Sequence, residues 1–453
     1  MSKFTRRDVF KLGAGAAIVG AAAGRIAPAR AQVKYTPEKG AKIRVLRWKQ
    51  FVQGDIESFT ASIKKFTEAT GVEVRVDTES WEDIRPKAAV AANIGAGPDI
   101  IIGTNDDPHK FPEKLLDLTD LADYLGQKYG GWYDVCRTYG TRNKRWIALP
   151  QGINGSCVNY RISHVKAAGF EKPPQDLAGF LKLCQGLKKN NTPAGFALGH
   201  ATGDANNWTH WCLWAHGGKV VDEHDKVVLD SPETVAALEY VRQLYPTFID
   251  GTLTWLDPSN NKAFLAGDCS MTGNGISIYY VAKNSSDPKL QEIAKDMDHV
   301  HYPVGPGGRP TEQNLMLQAF VMKYTKYPNA VKEYLRFMWE KEQYDPWMIA
   351  SLGYVSQPLR YYENNPVWTS DPKAKPFGEV SKLVLQNGYA GHLGYASAAV
   401  MGDFIVVDMF AEAASGAQSP KDAAKRAADR AKRREDRMKA IQQGKDEGEA
   451  TEE

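Results

Sequence analysis

The sequence predicts an α/β protein of two lobes, and three observations carry that prediction. Short apolar strands alternate with helical stretches through the first hundred residues. The run Pro98-Asp99-Ile100-Ile101-Ile102-Gly103 is continuously apolar at its centre, as a strand covered by helices on both faces must be. The chain has 453 residues, 43% of them hydrophobic and 25% charged, more than one ordinary domain organises around a single core.

Lys42 to Trp48 (KIRVLRW) reads as the first strand, and Ile56, Phe59, Ile63 and Phe66 fall at helical spacing before Gly71 closes the helix. Val72, Val74 and Val76 alternate as a second strand. A helical stretch from Glu82 to Ile94 follows, then the Ile100-Ile101-Ile102 strand, which makes a βαβαβ opening on a parallel sheet. Further strands are expected near Ile147 to Leu149, Gly195 to Leu198 and Gln318 to Lys323. Helices are expected around Asp176 to Lys189, Asn207 to His216 and Ser231 to Tyr245, forming a second α/β unit.

Residues 5–24 read TRRDVFKLGAGAAIVGAAAG. The apolar run Leu12 to Gly24 has the length of a signal-peptide core and falls short of the roughly 20 residues a membrane-spanning helix needs. Ala29-Arg30-Ala31 places small side chains where a signal peptidase inspects them, just after Pro28, so cleavage is expected before Gln32. Thr5 to Lys11 resembles the twin-arginine signal, which implies export of a folded protein to a bacterial periplasm. Residues 1–31 hold six Lys/Arg and one acid, so their removal takes the formal net charge from +3 to −2. A near-neutral chain, whose one basic cluster Lys432-Arg433-Arg434 is followed at once by Glu435-Asp436, offers no electrostatic footprint for nucleic acid. Cys136, Cys157, Cys184, Cys212 and Cys269 are widely spaced and form no C-x-x-C pair, which points to small buried hydrophobes rather than a disulfide framework or thiolate metal site.

The order of several segments is distinctive: GVEVRVD, AANIGAGPDIII, LPQGINGSCVNYRISHVKAAGFEKPPQDLAGFLKLCQGL, HGGKVVDEHDKVVLDSPETVAALEYVRQL and KAFLAGDCSMTGNG. Taken together they resemble the bacterial ABC-transporter extracellular solute-binding proteins of family 1, which include maltodextrin binders. The resemblance covers about residues 42–438. It implies a type II periplasmic binding fold, with a ligand cleft between two lobes joined by a multi-strand hinge. The N-lobe is expected over residues 32–153 and 315–345, the C-lobe over 154–314 and 346–438, and a charged tail over 439–453. The implied function is capture of a carbohydrate or polyol by lobe closure and delivery to permease subunits at the inner membrane, by a monomer that is not an enzyme and carries no cofactor or metal.

In open α/β sheets ligands sit beyond the carboxyl ends of the strands, so the loops after the first and third strands are candidates: Trp48, Gln50, Gln53, Asn105, Asp106 and Asp107. Such a set supplies acids and amides for hydroxyl donors and a ring for a flat C–H face. Asp106 matches an aspartate that binds sugar hydroxyls in maltodextrin binders, whereas the aromatic those relatives place three residues earlier is Gly103 here. A helix N-cap or a solvated loop is the other reading of these acids. Gln151 and Asn154, on the LPQGINGS segment, complete the first lobe's set. In the second lobe Asn207 and Trp208 begin a helix pointed at the cleft, although Trp208, Trp211, Cys212 and Ala215 share a face that suits a core. Asn274 lies in a turn resembling one that carries a stacking Trp in relatives, and Ser277 stands where the ring would be. Tyr389, His392 and Tyr395 in a glycine-rich loop offer rings from another direction, and Tyr389 is included in the expected site; surface punctuation is the other reading of that loop.

Two other functions are compatible with parts of the sequence. Vicinal Tyr279-Tyr280 and Tyr361-Tyr362 suit ferric-ion capture through phenolates, and a pair of carboxylates would suit a periplasmic carbohydrate-active enzyme. His210 and His216, six residues apart, face different ways and make a poor metal pair. No P-loop, H-E-x-x-H or G-x-S-x-G occurs.

Overall fold

Trp48 and Arg47, adjacent on one central strand, are among the largest fully buried side chains of the protein, and the first sheet is organised around them. The computed structural model describes residues 33–49 and 51–442, with side chains through Arg437. The expected leader, its cleavage point and Gln50 lie outside the described residues. Of the expected tail, only the start is described, as the end of a helix, Pro420–Gln442.

The strands in chain order are β1 (Lys42–Trp48), β2 (Glu73–Glu79), β3 (Ile100–Thr104), β4 (Thr141–Arg142), β5 (Arg145–Trp146), β6 (Leu149–Asn154), β7 (Cys157–Arg161), β8 (Met271–Asn274), β9 (Met297–Val300) and β10 (Leu315–Val321). Five form one sheet in the order β2-β1-β3-β10-β6. β1 pairs in parallel with β2 and β3, while β10 runs antiparallel between β3 and β6. Helices Gln53–Thr70 and Trp81–Ile94 return the chain between the parallel strands. The first buries Phe59 and Phe66, two turns apart, and ends where Gly71 takes φ 73° and donates its N–H to the Thr67 carbonyl at 2.8 Å.

The second sheet is small and wholly antiparallel, with β7 between β8 and β9. Around it helices Leu177–Lys189, Asp204–Ala215, Pro232–Leu244 and Ile405–Ser415 bury Phe180, Trp208, Trp211, Leu238 and Phe410 in one apolar cluster. All five cysteines are buried free thiols. The strand expected over Gly195 to Leu198 does not form. Ala194 makes single bridges to Phe248 and Met271, and Gly195 lies so close to the Trp255 ring that a Cβ there would sit 2.5 Å from it. The stretch is apolar because it is core, not because it is part of a ladder. The strand expected near Ile147 to Leu149 begins at Leu149, and the one near Gln318 to Lys323 begins earlier, at Leu315.

Arg47 ties three elements of the first sheet's layer together. Its guanidinium donates to Asp55 Oδ2 at 2.5 Å and lies 4.0 Å from the Trp48 ring centroid and 4.2 Å from that of Phe59. Asp55 Oδ1 accepts from Trp347 Nε1 at 2.7 Å, bringing in helix Lys341–Ala350. Because both charges are removed from water, deleting one partner strands the other. Asp55→Ala is therefore expected to cost about 3–5 kcal/mol in urea unfolding, and the double change Arg47→Met with Asp55→Leu to recover most of that loss. A cost for Asp55→Ala within the range of an ordinary surface change would show that the pair does not hold these elements.

Candidate functional site

The strand registers bring the ends of the two sheets to one place. At the end of the first sheet, Trp48 pairs with Glu79, Thr104 with Leu317, and Asn154 with Leu315. In the second sheet Cys157 pairs with Asn274, and Val158 with Val300. The chain crosses between these edges at residues 154–157, 301–314 and 351–357. The crossings are bonded side by side: Ser156 N–H donates to Asn314 Oδ1, and Ile153 and Ser356 exchange backbone bonds of 3.0 and 2.7 Å. Gly152, at φ 138°, permits that approach, since a Cβ would sit 2.2 Å from the Ser356 carbonyl oxygen.

One wall of the seam is aromatic. Trp48 stacks on Trp81 with centroids 4.9 Å apart and planes 15° from parallel, and Tyr354 lies 6.5 Å from Trp48. The indole N–H of Trp48 has no partner, nor has Glu82 Oε1 beside Trp81. The opposite wall is carboxylic. Asp257 Oδ1 accepts the N–H of Gly203 at 3.1 Å and of Asp204 at 2.8 Å, capping helix Asp204–Ala215 from outside it. Asp204 Oδ2 accepts from Asn260 Nδ2 at 2.8 Å. Burial raises the Asp257 carboxyl to about 6, with Glu82 adding repulsion. Burial and the neighbouring Asp257 charge push Asp204 well above the usual carboxylate range.

The loop after β3 supplies the middle. Asn105, at φ 47°, bonds the Met316 backbone through its N–H and its Oδ1, at 2.7 and 3.0 Å, and leaves Nδ2 unpartnered. Asp106 accepts the Ser397 hydroxyl on Oδ2, while its buried Oδ1 has no partner. Burial raises Asp106 to about 6, an effect that the Ser397 hydroxyl, the Asn387 amide and the Arg85 charge oppose only in part. Asp107 instead pairs with Arg85 and accepts the Thr104 N–H at 3.1 Å, a structural role. Beside Ser397 lies a cavity of about 410 Å³, lined by Arg142, Val221, Asp225, Asn387, His392 and Ser397 among others. Asn387 is 4% exposed, its amide faces the Asp106 carboxyl, and its amide oxygen has no partner.

Of the residues expected from the sequence, Trp48, Asp106, Asn154, Asn207 and Asn274 gather along this seam. Asn154 Nδ2 donates to the Tyr354 carbonyl at 2.7 Å, Asn207 Oδ1 is buried without a partner, and Asn274 bonds Asn261 at 2.6 Å. Four expectations are corrected or fall away. Gln53 is exposed and bonds Glu57 on its own helix. Gln151 packs with Phe59, Trp339 and Tyr344 inside the first lobe, because on β6 it points to the helix-covered face. Trp208 is core: its indole donates to the Ala197 carbonyl at 2.6 Å, and its ring meets Phe196, Phe248 and Phe410. Tyr389 is held by Arg309 and an edge contact with Trp214. Gln50 is outside the described residues.

The phenols of Tyr279, Tyr280 and Tyr362 bond Asp371, the Gly54 N–H and the Trp339 carbonyl respectively, so neither vicinal pair converges on a shared point. His210 is buried against the Asn206 carbonyl, and burial lowers it to about 4. Sequence reasoning missed Trp81, Glu82, Asp204, Asp257, Asn314 and Asn387. Thr311-Glu312-Gln313-Asn314 did carry a signal: four polar residues abutting a strand with no exposed position, all of them buried.

Two outcomes follow for single changes. Trp208→Ala is expected to cost about 3–5 kcal/mol of stability by melting or urea titration, as a core cavity does; a loss confined to ligand affinity would return Trp208 to the site. For Asp106, the folded carboxyl holds its proton to about 6 against an ordinary value of 3.8. Its stabilising share is complete below about pH 4 and is lost as pH rises through about 6. Asp106→Asn is accordingly expected to melt higher than the parent at about pH 7.5 by on the order of 2–3 kcal/mol, and to differ little at about pH 4. An unchanged difference across that range would exclude Asp106 as a buried titrating group.

Residues 61–376 match the family described as bacterial extracellular solute-binding protein. A probable ABC transporter-binding protein of Deinococcus radiodurans is 24% identical over 200 residues, 42% of this chain. The match spans 47% of that relative's length. Among solved structures, maltose-bound MalE3 of T. maritima aligns with a TM-score of 0.74 at 19% identity, over 87% of this chain and 99% of that one. A solute-binding protein of Agrobacterium vitis with bound D-mannitol aligns at 0.69 and 17% identity, over 88% and 99%. These likenesses establish the two-lobed periplasmic-binding fold, and with the family match over most of its length the chain belongs to the bacterial extracellular solute-binding proteins.

Proposed function

We propose that this protein is the solute-binding component of an ABC importer, closing its lobes on a carbohydrate or polyol and handing it to the membrane permease. The observation that carries the reading is the row of buried polar atoms without partners along the seam, from Trp48 Nε1 through Asn105 Nδ2 and Asp106 Oδ1 to Asn207 Oδ1. Buried polar atoms are rarely left unpaired, and a solute dense in hydroxyl groups supplies both the donors and the acceptors that this set lacks. Trp48 and Trp81 add rings for a C–H face. The maltose and D-mannitol bound by the structural relatives support the same solute class. Among the described residues the seam contains no nucleophile paired with a base, which favours binding over catalysis.

The lobes are proposed as residues 32–153 with 315–345 and 154–314 with 346–438. Helix Lys341–Ala350 straddles the second line, and its Trp347 bonds Asp55, so the crossing itself is placed after Ala350. Family membership implies an exported protein, and the twin-arginine route is proposed from Arg6 and Arg7. The protein is taken to act as a monomer.

A thermal-shift screen over sugars, polyols and sugar acids tests the solute class. A ligand at about 100 times its Kd adds about 2.7 kcal/mol to the native state, and it should also lower the radius of gyration in small-angle scattering by favouring the closed lobes. No stabilisation by any sugar or polyol would overturn the solute class. Export is checked separately: replacing Arg6 and Arg7 with Lys should leave precursor in the cytoplasm, and periplasmic protein retaining residues 1–31 would contradict the expected cut before Gln32.

A further inference from the structure

Three carboxylates meet in the seam without a cation to balance them. Asp204 and Asp257 share the start of helix Asp204–Ala215, and Glu82 faces Asp257 from the first turn of helix Trp81–Ile94, close enough for its charge to hold the Asp257 proton on. Among the described residues no Lys, Arg or His pairs with any of the three; the nearby Arg47 balances Asp55 through Nη2 and keeps Nε and Nη1 unpartnered. The other groups facing the pair are neutral. They are the Asn260 amide, the backbone N–H groups of Gly203 and Asp204, and the phenols of Tyr354 and Tyr302, both of which feel the Asp204 charge.

A second observation is independent of the acids. Asn207 lies one turn along the same helix face from Asp204, is 3% exposed, and leaves Oδ1 without a donor. With Glu82 Oε1 this puts two unpartnered acceptors beside the three carboxylates, while the unpartnered donors, the Trp48 indole N–H, Arg47 Nε and Nη1 and Asn105 Nδ2, belong to the first sheet's side of the seam.

We propose that the group bound between Glu82, Asp204, Asp257 and Asn207 is a protonated amine carried by the solute, so that the preferred ligand is an amino sugar or amino polyol. This rests on the carbohydrate or polyol reading above and narrows it. An ammonium brings three donors and no acceptor, whereas each hydroxyl brings lone pairs that the carboxylates repel. It also brings the charge that a dry carboxylate pair otherwise lacks, and its bonds to them are charge-assisted. Where no cation binds, that need is met by protons held on Asp204 and Asp257. An ammonium displaces those protons, so its binding strengthens from about pH 5 to about pH 7, while a neutral solute that uses the protonated acids as donors weakens over the same range.

The test is calorimetric titration of the mature chain with two probe pairs, D-glucosamine against D-glucose and 1-amino-1-deoxymannitol against D-mannitol, at about pH 5 and about pH 7. The amine of at least one pair should bind about tenfold or more tighter than its hydroxyl partner at the higher pH, with the margin shrinking at the lower. Glu82→Gln and Asp257→Asn should each narrow that margin. Glu82 lies on the wall opposite the helix cap, so its variant reads the charge even if Asp257→Asn fails to fold. If the hydroxyl partner binds as tightly as the amine at both pH values, or if the Glu82→Gln margin equals the parent's, the amine assignment is overturned and the carbohydrate reading stands. If no member of either pair binds while other sugars or polyols do, the amine assignment again falls alone. If none of the screened solutes binds, both fall.

Discussion

Leaving a buried hydrogen-bonding atom without a partner costs about 1–3 kcal/mol, and more where the group is charged. The seam between the two sheets concentrates that cost. Asn105, Asp106, Asn207 and Asn387 each keep at least one buried polar side-chain atom without a protein partner. Several comparable groups elsewhere in the fold are satisfied: Trp208 by the Ala197 carbonyl, Trp339 by the Pro150 carbonyl, Asp55 by Arg47 and Trp347 together. A closed seam without solute is therefore opposed by its own polar lining, and the same lining is what a hydrogen-bonding solute relieves. Closure then follows from differential affinity, since only the closed state lets both walls contact one molecule.

The remaining architecture keeps that lining in register. The Arg47–Asp55–Trp347 cluster fixes the strand that ends in Trp48 to two helices packed on one of its faces, Gln53–Thr70 and Lys341–Ala350. The Asn105 amide bonds the Met316 backbone, and Asn314 receives the Ser156 N–H, so the loop after β3 and the start of β10 move with the crossings rather than independently. Asp257 caps a helix it does not belong to, which places a carboxylate on the second wall by the same bonds that stabilise Asp204–Ala215. Structural roles and the proposed binding roles are thus held by the same few atoms.

What could be read from the sequence was what depends on neighbours in the chain. The spacing of Phe59 and Phe66, the Gly71 stop and the apolar Ile100–Ile102 run located the βαβαβ opening, because helix and strand periods are local. Trp48, Asp106 and Asn154 were legible as strand-end residues for the same reason. The opposite wall was not. Asp106 meets Ser397 across 291 positions and Asn154 meets Tyr354 across 200, and no period reports such a pairing. Trp208 misled because the start of a helix aimed at a cleft and the face of a helix turned into a core look alike in one dimension. Gln151 misled because one residue's shift along a strand moves a side chain to the other face.

The thiols bear on why such a protein would leave the cytoplasm already folded. Cys136, Cys157, Cys184, Cys212 and Cys269 are all buried and unpaired, and burial pushes each thiol up, Cys269 to about 12. A thiol attacks as its thiolate, so in the folded state these five are chemically quiet even where oxidants are present. An unfolded chain threaded into an oxidising compartment would expose all five with ordinary reactivity, and five cysteines have many wrong pairings open to them. Folding before export, the route proposed from Arg6 and Arg7, removes that hazard, because packing seals the thiols in Cys136 to Cys269 before the chain meets an oxidant.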